Sequence, residues 1–165
     1  MPDTAERPRG SITISVDAMG GDQGPSVVVD GVSKSAAKNS AIRFLIHGPK
    51  AQLEPLVSKR KLDGICEIRD VPDTVTMDEK PSQVLRHGQS TSMWSALEAV
   101  RSGEAQACVS CGNTGALLLL SVMRLRKLNG IGRPAIACLW PSRNPVGFNV
   151  MLDVGADIKA DAHDL

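Results

Sequence analysis

Apolar and polar positions change period repeatedly along the chain, and the changes predict alternating strands and helices. From Ile12 to Val16 the two kinds of residue alternate and end at Asp17, which is typical of a strand with one buried face. Behind Pro25, which suits the first turn of a helix, apolar residues recur every three or four positions to about Asn39. Further strands are predicted at 42–47, 65–71, 106–110, 135–140 and 147–154. A helix interrupted at Pro55 is predicted after residue 49, and a short helix is predicted to end near residue 88. Two more helices are predicted at 93–103 and at about 116–128.

This order of elements predicts an α/β fold. Repeated β-α-β units with short loops favour a mostly parallel sheet covered by helices on both faces. In such sheets ligands bind at the carboxyl ends of the strands. The loops that follow the strands are therefore the places to look for chemistry.

Composition and charge exclude several classes of function. The chain has 165 residues, a size typical of one domain with its own core, and a formal net charge of +1 from 19 basic and 18 acidic residues. Such a balance gives no electrostatic footprint for nucleic acid, and two Trp, two Phe and no Tyr offer few stacking platforms.

The ends of the chain bear on location and completeness. Residues 1–10 form a polar tail without the apolar segment of an export signal, and the longest lipid-like run, 116–120, is far shorter than the ~20 residues that span a bilayer. We therefore expect a cytoplasmic protein with reduced cysteines. Residues 11–165 form the predicted domain, and the unfinished pattern after Asp157 suggests part of a longer protein.

Two glycine-rich loops are the main candidates for a binding site. One runs from Asp17 to Pro25 and the other from Ser110 to Gly115, each between a predicted strand and a predicted helix. Glycine lets the backbone approach a ligand, and free N–H groups at a helix start favour a phosphate or carboxylate. In the alternative interpretation the glycines only permit the turns, while Asp22, or Asn113 with Thr114, caps a helix.

Standard nucleotide motifs do not account for these loops. The P-loop pattern is absent, and the first loop lacks G-x-G-x-x-G spacing. The segment Gly130–Ala135 fits G-x-G-x-x-A, but it lies between a helix and a strand and contains Pro134, so we reject it. Asp153, at the end of the last predicted strand, is expected at the same sheet edge as Asp17, either binding a ligand or holding the loop.

Nucleophilic and metal chemistry remain as alternatives for the second loop. Ser110 resembles the serine of a G-x-S-x-G elbow, although Cys108 replaces the first glycine. Cys111, near a helix start, is a candidate thiolate nucleophile or simply a small residue in a turn. Cys108 and Cys111 form a C-x-x-C pair, but zinc needs four ligands and no second pair is present. His47, His87 and His163 are the available histidine bases.

Six motifs, taken in order, resemble the bacterial phosphate acyltransferase (PlsX) family. The resemblance runs from about Ser11 to Leu165 and corresponds to the N-terminal half of a typical member. The motifs are SVDAMGGDxGP at 15–25, MxxxP at 77–81, SM at 92–93, VSxGNTGAL at 109–117, RPAIA at 133–137 and LDVGA at 152–156.

The resemblance implies a fold and an activity. The fold would be a three-layer α/β/α, similar to phosphotransacetylases and to isocitrate and isopropylmalate dehydrogenases. The activity would be transfer of a long-chain fatty acyl group from acyl carrier protein to inorganic phosphate, giving acyl phosphate for phospholipid synthesis. No cofactor and no metal are expected, because phosphate itself can attack the thioester. A homodimer, loosely associated with membrane, is also implied.

Residue roles follow from the resemblance position by position. Asn113, Ser110 and Asp22 are the expected catalytic residues. The expected phosphate-binding and supporting residues are Asp17, Gly20, Gly21, Gly112, Thr114, Gly115 and Asp153. The expected mechanism is direct displacement, with backbone N–H groups holding phosphate and stabilising the oxyanion.

The chain departs from the family pattern in three respects. The segment Arg86–Gln89 is less basic than usual, and Asp157 stands where members have Asn. The second half, which completes the cleft in the family, is not matched. The alternatives are therefore an incomplete fragment that acts only as a binding or assembly module, or a thioesterase that depends on Cys111 or Ser110.

Overall fold

The computed structural model describes residues 11–132 and 134–152. These residues divide into two compact units, the first ending at Leu125 and the second beginning at Arg126. Each unit is described by itself below.

The first unit contains a four-stranded parallel sheet with the order β3-β2-β1-β4. Asp17 on the central strand lies opposite His47 on one neighbour and Ser110 on the other. The strands are β1 (Ile12–Asp17), β2 (Ile42–Gly48), β3 (Cys66–Asp70) and β4 (Ala107–Ser110). The helices are α1 (Pro25–Lys38), α2 (Lys50–Lys59), α3 (Pro81–His87), α4 (Ser92–Arg101) and α5 (Thr114–Leu125), with a short 3-10 turn at Gly88–Ser90.

Both faces of this sheet are covered by helices. Successive side chains of a strand point to opposite faces, so Val16 and Phe44 pack on α1 and α2, whereas Leu45 packs against Ala99 of α4. Helix α4 also forms a second apolar cluster with α3 and α5. The α/β fold class with a mostly parallel sheet between helical layers is therefore confirmed.

Two sequence-based boundaries are wrong. Pro55 does not interrupt α2, because Leu53 and Val57 on either side of it are buried in the core and hold the helix together. Helix α5 was expected to reach about residue 128 but ends at Leu125, where Arg126 adopts a left-handed conformation with φ 68°.

The second unit contains a hairpin of two antiparallel strands, β5 (Ala137–Pro141) and β6 (Phe148–Leu152). Both strands were expected, although their pairing with each other was not. Among the described residues this pair forms a sheet separate from the parallel one. No helix in the described ranges is long and apolar enough to cross a membrane.

Candidate functional site

The two glycine-rich loops touch each other at the carboxyl end of the parallel sheet. Strands β1 and β4 are neighbours, so the loops that leave them begin side by side. A Cβ atom placed on Gly20 would lie only 2.5 Å from the backbone nitrogen of Gly112. One placed on Gly21, whose φ is +98°, would lie 3.2 Å from the carbonyl oxygen of Cys111. Glycine is therefore required at both positions, because backbone packs directly on backbone.

Asp17 holds the start of both loops from beneath. The residue is 2% exposed. One oxygen, Oδ2, accepts a hydrogen bond of 2.7 Å from the Ser110 hydroxyl, and the Ser110 Oγ in turn accepts one of 3.1 Å from the Gly112 N–H. The other, Oδ1, accepts from Met19 N at 3.2 Å and from the Ser92 hydroxyl at 2.7 Å. Three donors therefore satisfy both oxygens of the buried carboxylate and fix its orientation.

Asn113 caps helix α5 and also fastens a neighbouring loop. Its Oδ1 accepts a hydrogen bond of 3.0 Å from Ala116 N, which is the N-cap geometry. Its Nδ2 lies within 3.2 Å of three carbonyl oxygens, those of Thr76, Met77 and Glu79. Both polar atoms of the side chain are thus used within the protein, and the capping interpretation is borne out for this residue.

The first turn of α5 leaves backbone donors at the surface. Thr114 and Gly115 are exposed, and as the first two helical residues they have no acceptor within the helix. Within the described part of the chain their N–H groups take part in no hydrogen bond outside the helix either. Together with the positive end of the helix dipole, these donors suit an anion.

Asp22 is not a helix cap. It is exposed, and the N-cap of α1 is Gly24 with φ 74° and no side-chain bond. Asp22 instead lines a cavity of about 550 Å³, as do other residues of both glycine loops. Apolar side chains from the sheet and from α1 form the remaining walls, among them Val16, Val28, Val32, Phe44 and Val109. An apolar space therefore adjoins the polar loops.

The comparisons with known proteins assign the chain to a family. A family described as "Fatty acid synthesis protein" matches residues 12–165. The chain belongs to this family. It is 69% identical over 155 residues to the phosphate acyltransferase of Paracoccus denitrificans, covering 93% of this chain and 42% of the relative. It is 71% identical over 153 residues to that of a Ruegeria species, covering 92% and 41%, and 64% identical over 166 residues to one from Cereibacter sphaeroides, covering 99% and 45%.

These matches confirm the resemblance to phosphate acyltransferases that the motifs indicated. The chain spans less than half the length of these relatives. Five of the residues predicted for the site lie together in the structure. They are Asp17, Gly20, Gly21, Ser110 and Gly112.

Among the described residues, neither His47 nor His87 forms a hydrogen bond with Ser110 or Cys111 as a base for a nucleophile would. His47 is 1% exposed, with Nε2 2.9 Å from Ser15 Oγ and Nδ1 2.8 Å from Ser95 Oγ. Because the buried ring has lost its water, and because Arg69 is positively charged, the pKa of His47 is lowered to about 4. His87 lies 2.9 Å from a Glu79 carboxylate oxygen.

Cys108 of β4 and Cys111 of the second loop differ in environment. Cys108 packs against the apolar cluster of α3, α4 and α5, and burial, with a smaller effect of the Asp17 charge, raises the pKa of its thiol to about 12. Cys111 is exposed and lines the cavity. The two side chains therefore lie in different surroundings, one in the apolar cluster and one at the cavity, which does not favour a shared metal site.

Several residues named in the sequence analysis, among them the predicted site residue Asp153, lie outside this arrangement. Asp153, Asp157 and His163 lie outside the described residues. Ser92 was quoted in a motif but not assigned to the site. The signal for Ser92 in the sequence is its place four positions before Ala96, which puts a polar residue on the buried face of α4.

Proposed function

We propose that this chain carries the phosphate-binding part of an acyltransferase that moves a long-chain fatty acyl group from acyl carrier protein to inorganic phosphate. The product is an acyl phosphate for phospholipid synthesis. The observation that carries the proposal is the direct contact of the two glycine loops, Gly20 against Gly112, beside the free N–H groups of Thr114 and Gly115. Relatives named phosphate acyltransferase support the reaction class.

The mechanism is direct attack by phosphate on the thioester carbonyl. An oxygen of phosphate forms the new bond to the acyl carbon, and the thiolate of the carrier leaves with the electron pair. The backbone N–H groups of the second loop hold phosphate, and those near Gly20 and Gly21 face the developing oxyanion. Asp17 and Ser110 hold the loops through their hydrogen bonds, Asn113 orients the first turn of α5, and Asp22 lines the cavity.

The apolar cavity gives the acyl chain a place beside the reacting group. Its volume of about 550 Å³ lies within the range of sites for molecules of drug size. It is lined by apolar side chains of β1, β2, β4 and α1 and by residues of the glycine loops. A fatty acyl chain in this space would bring its thioester to the loops. The partners proposed with this reaction are acyl carrier protein and a second copy of the chain, with peripheral association with membrane.

The decisive experiment measures acyl phosphate formed from long-chain acyl carrier protein, with and without inorganic phosphate, trapped as its hydroxamate. Phosphate-dependent product is expected. A cooperatively folded sample that releases free fatty acid without phosphate would replace the proposal with a thioesterase. A folded sample that binds phosphate but yields no product would replace it with a binding module. Alkylation of the exposed Cys111 discriminates further, because direct displacement by phosphate does not need its thiol.

A further inference from the structure

Helix α4 presents two serines to two neighbouring strands of the sheet. Ser92 and Ser95 are three positions apart, so they lie on one face of the helix. Ser92 donates to Asp17, and Ser95 lies 2.8 Å from His47 Nδ1. Asp17 and His47 are themselves register partners on β1 and β2. A buried contact from Ser92 and a part-buried contact from Ser95 therefore join the same helix to adjacent strands.

Only one of these contacts leads to the glycine loops. From Ser92 the hydrogen bonds continue through both oxygens of Asp17 to the Ser110 hydroxyl and then to the Gly112 N–H, with lengths of 2.7, 2.7 and 3.1 Å. Gly112 is the residue whose backbone limits the approach of Gly20. The Ser95 contact continues instead through His47 to Ser15 of β1 and from there to the carbonyl of Ala96 in α4.

We propose that Ser92 is a positioning residue for the candidate site. Its hydroxyl fixes the rotation of the Asp17 carboxylate, and this rotation decides whether Oδ2 holds the Ser110 hydroxyl in place. Ser110 then holds the Gly112 N–H, and so the gap between the two loops is set from α4. Ser92 is 1% exposed, so water cannot replace its hydrogen bond to Asp17. The proposal rests on the proposed function only where it concerns phosphate.

The chain offers a matched control for this inference. Ser92→Ala and Ser95→Ala each remove one hydroxyl from the same face of α4, and each removes one hydrogen-bond partner from a side chain of the sheet. A role in stability alone would make the two variants alike at the loops. A positioning role makes only Ser92→Ala change the loops, and Ser92→Thr, which keeps a hydroxyl, restores them.

The test has two measurements on the full 165-residue chain. The first is the hydrogen exchange rate of the Gly112 amide, which we expect to rise about tenfold in Ser92→Ala relative to Ser95→Ala at equal global stability. The second is titration with inorganic phosphate, for which we expect about a tenfold weaker Kd in Ser92→Ala alone.

Each outcome decides one question. Equal Gly112 exchange in the two alanine variants would overturn the positioning role, and so would faster exchange with an unchanged phosphate Kd. Absence of phosphate binding by the unsubstituted chain would instead refute the proposed function. In that case the exchange comparison still decides whether Ser92 controls the loop.

Discussion

Replacing Gly20 by alanine tests the contact on which the candidate site depends. The added Cβ would lie 2.5 Å from the nitrogen and 2.8 Å from the Cα of Gly112, and 3.0 Å from Asp17 Oδ2. The first two are backbone atoms, which cannot rotate away as the end of a side chain can. An ordinary contact begins at about 3.4 Å, so one loop must move by about 0.9 Å.

The displacement has separate consequences for stability and for binding. Overpacking of this kind costs about 1–3 kcal/mol in the free energy of unfolding. A shift of about 1 Å in groups that hold a reacting molecule costs about 100-fold in rate. We therefore expect Gly20→Ala to fold, with a modest loss of stability and a much larger loss of phosphate-dependent acyl transfer.

Urea unfolding and the acyl phosphate assay measure the two effects on one preparation. Gly64→Ala is the matched control, because a Cβ there meets no atom within 4 Å and the residue does not adopt a positive φ. We expect this control to retain the activity of the unsubstituted chain. If Gly20→Ala also retained full stability and full activity, the contact between the loops would not be part of the site, and the argument built on it would be refuted.

Three further predictions concern stability. Gly31→Ala should raise the free energy of unfolding by about 1 kcal/mol in a urea titration, because the site is helical and open, and a loss would show that the added methyl meets an obstacle. The pKa of His47 is about 4 in the folded protein against the ordinary value of 6.5, so the contribution of its neutral form to stability is fully present above pH 6.5. About 3 kcal/mol of the free energy of unfolding should be lost as the pH falls to 4. A His47→Gln variant with the same pH dependence of unfolding would contradict this. Asn113→Ala should lower the free energy of unfolding by about 1–3 kcal/mol and speed hydrogen exchange in residues 76–79. Unchanged exchange there would show that Asn113 does not hold this loop in place.

The sequence predicted most of the elements in the first unit because its apolar periods are regular. Alternation from Ile12 to Val16 and helical spacing after Pro25 are local signals, and the structure follows both. Pro55 shows where local reasoning fails. Proline disfavours the interior of a helix, but burial of Leu53 and Val57 outweighs that preference.

The candidate site was predicted only in part, for a related reason. Glycine clusters after β1 and β4 are visible in the sequence, and parallel strand order brings them to one edge. A Cβ atom added to Gly20 would lie 2.5 Å from the backbone nitrogen of Gly112. This closeness depends on the register of β1 against β4, which no local pattern reveals. Asn113 was expected at the site as a catalytic group, whereas its contacts with three carbonyl oxygens depend on where the connector after β3 passes.

The polar contacts of α4 with Asp17 and His47 fix the position of this helix on the sheet. Apolar contacts alone tolerate small slips of a helix on a sheet, because one methyl group can replace another at little cost. A slip of α4 would leave the carboxylate of Asp17, a residue that is 2% exposed, without the Ser92 donor and His47 without Ser95. An unpaired buried polar group costs about 1–3 kcal/mol, and a charged one costs more. The same carboxylate that supports the glycine loops therefore also selects one position of the helix, which couples the precision of the site to the stability of the fold.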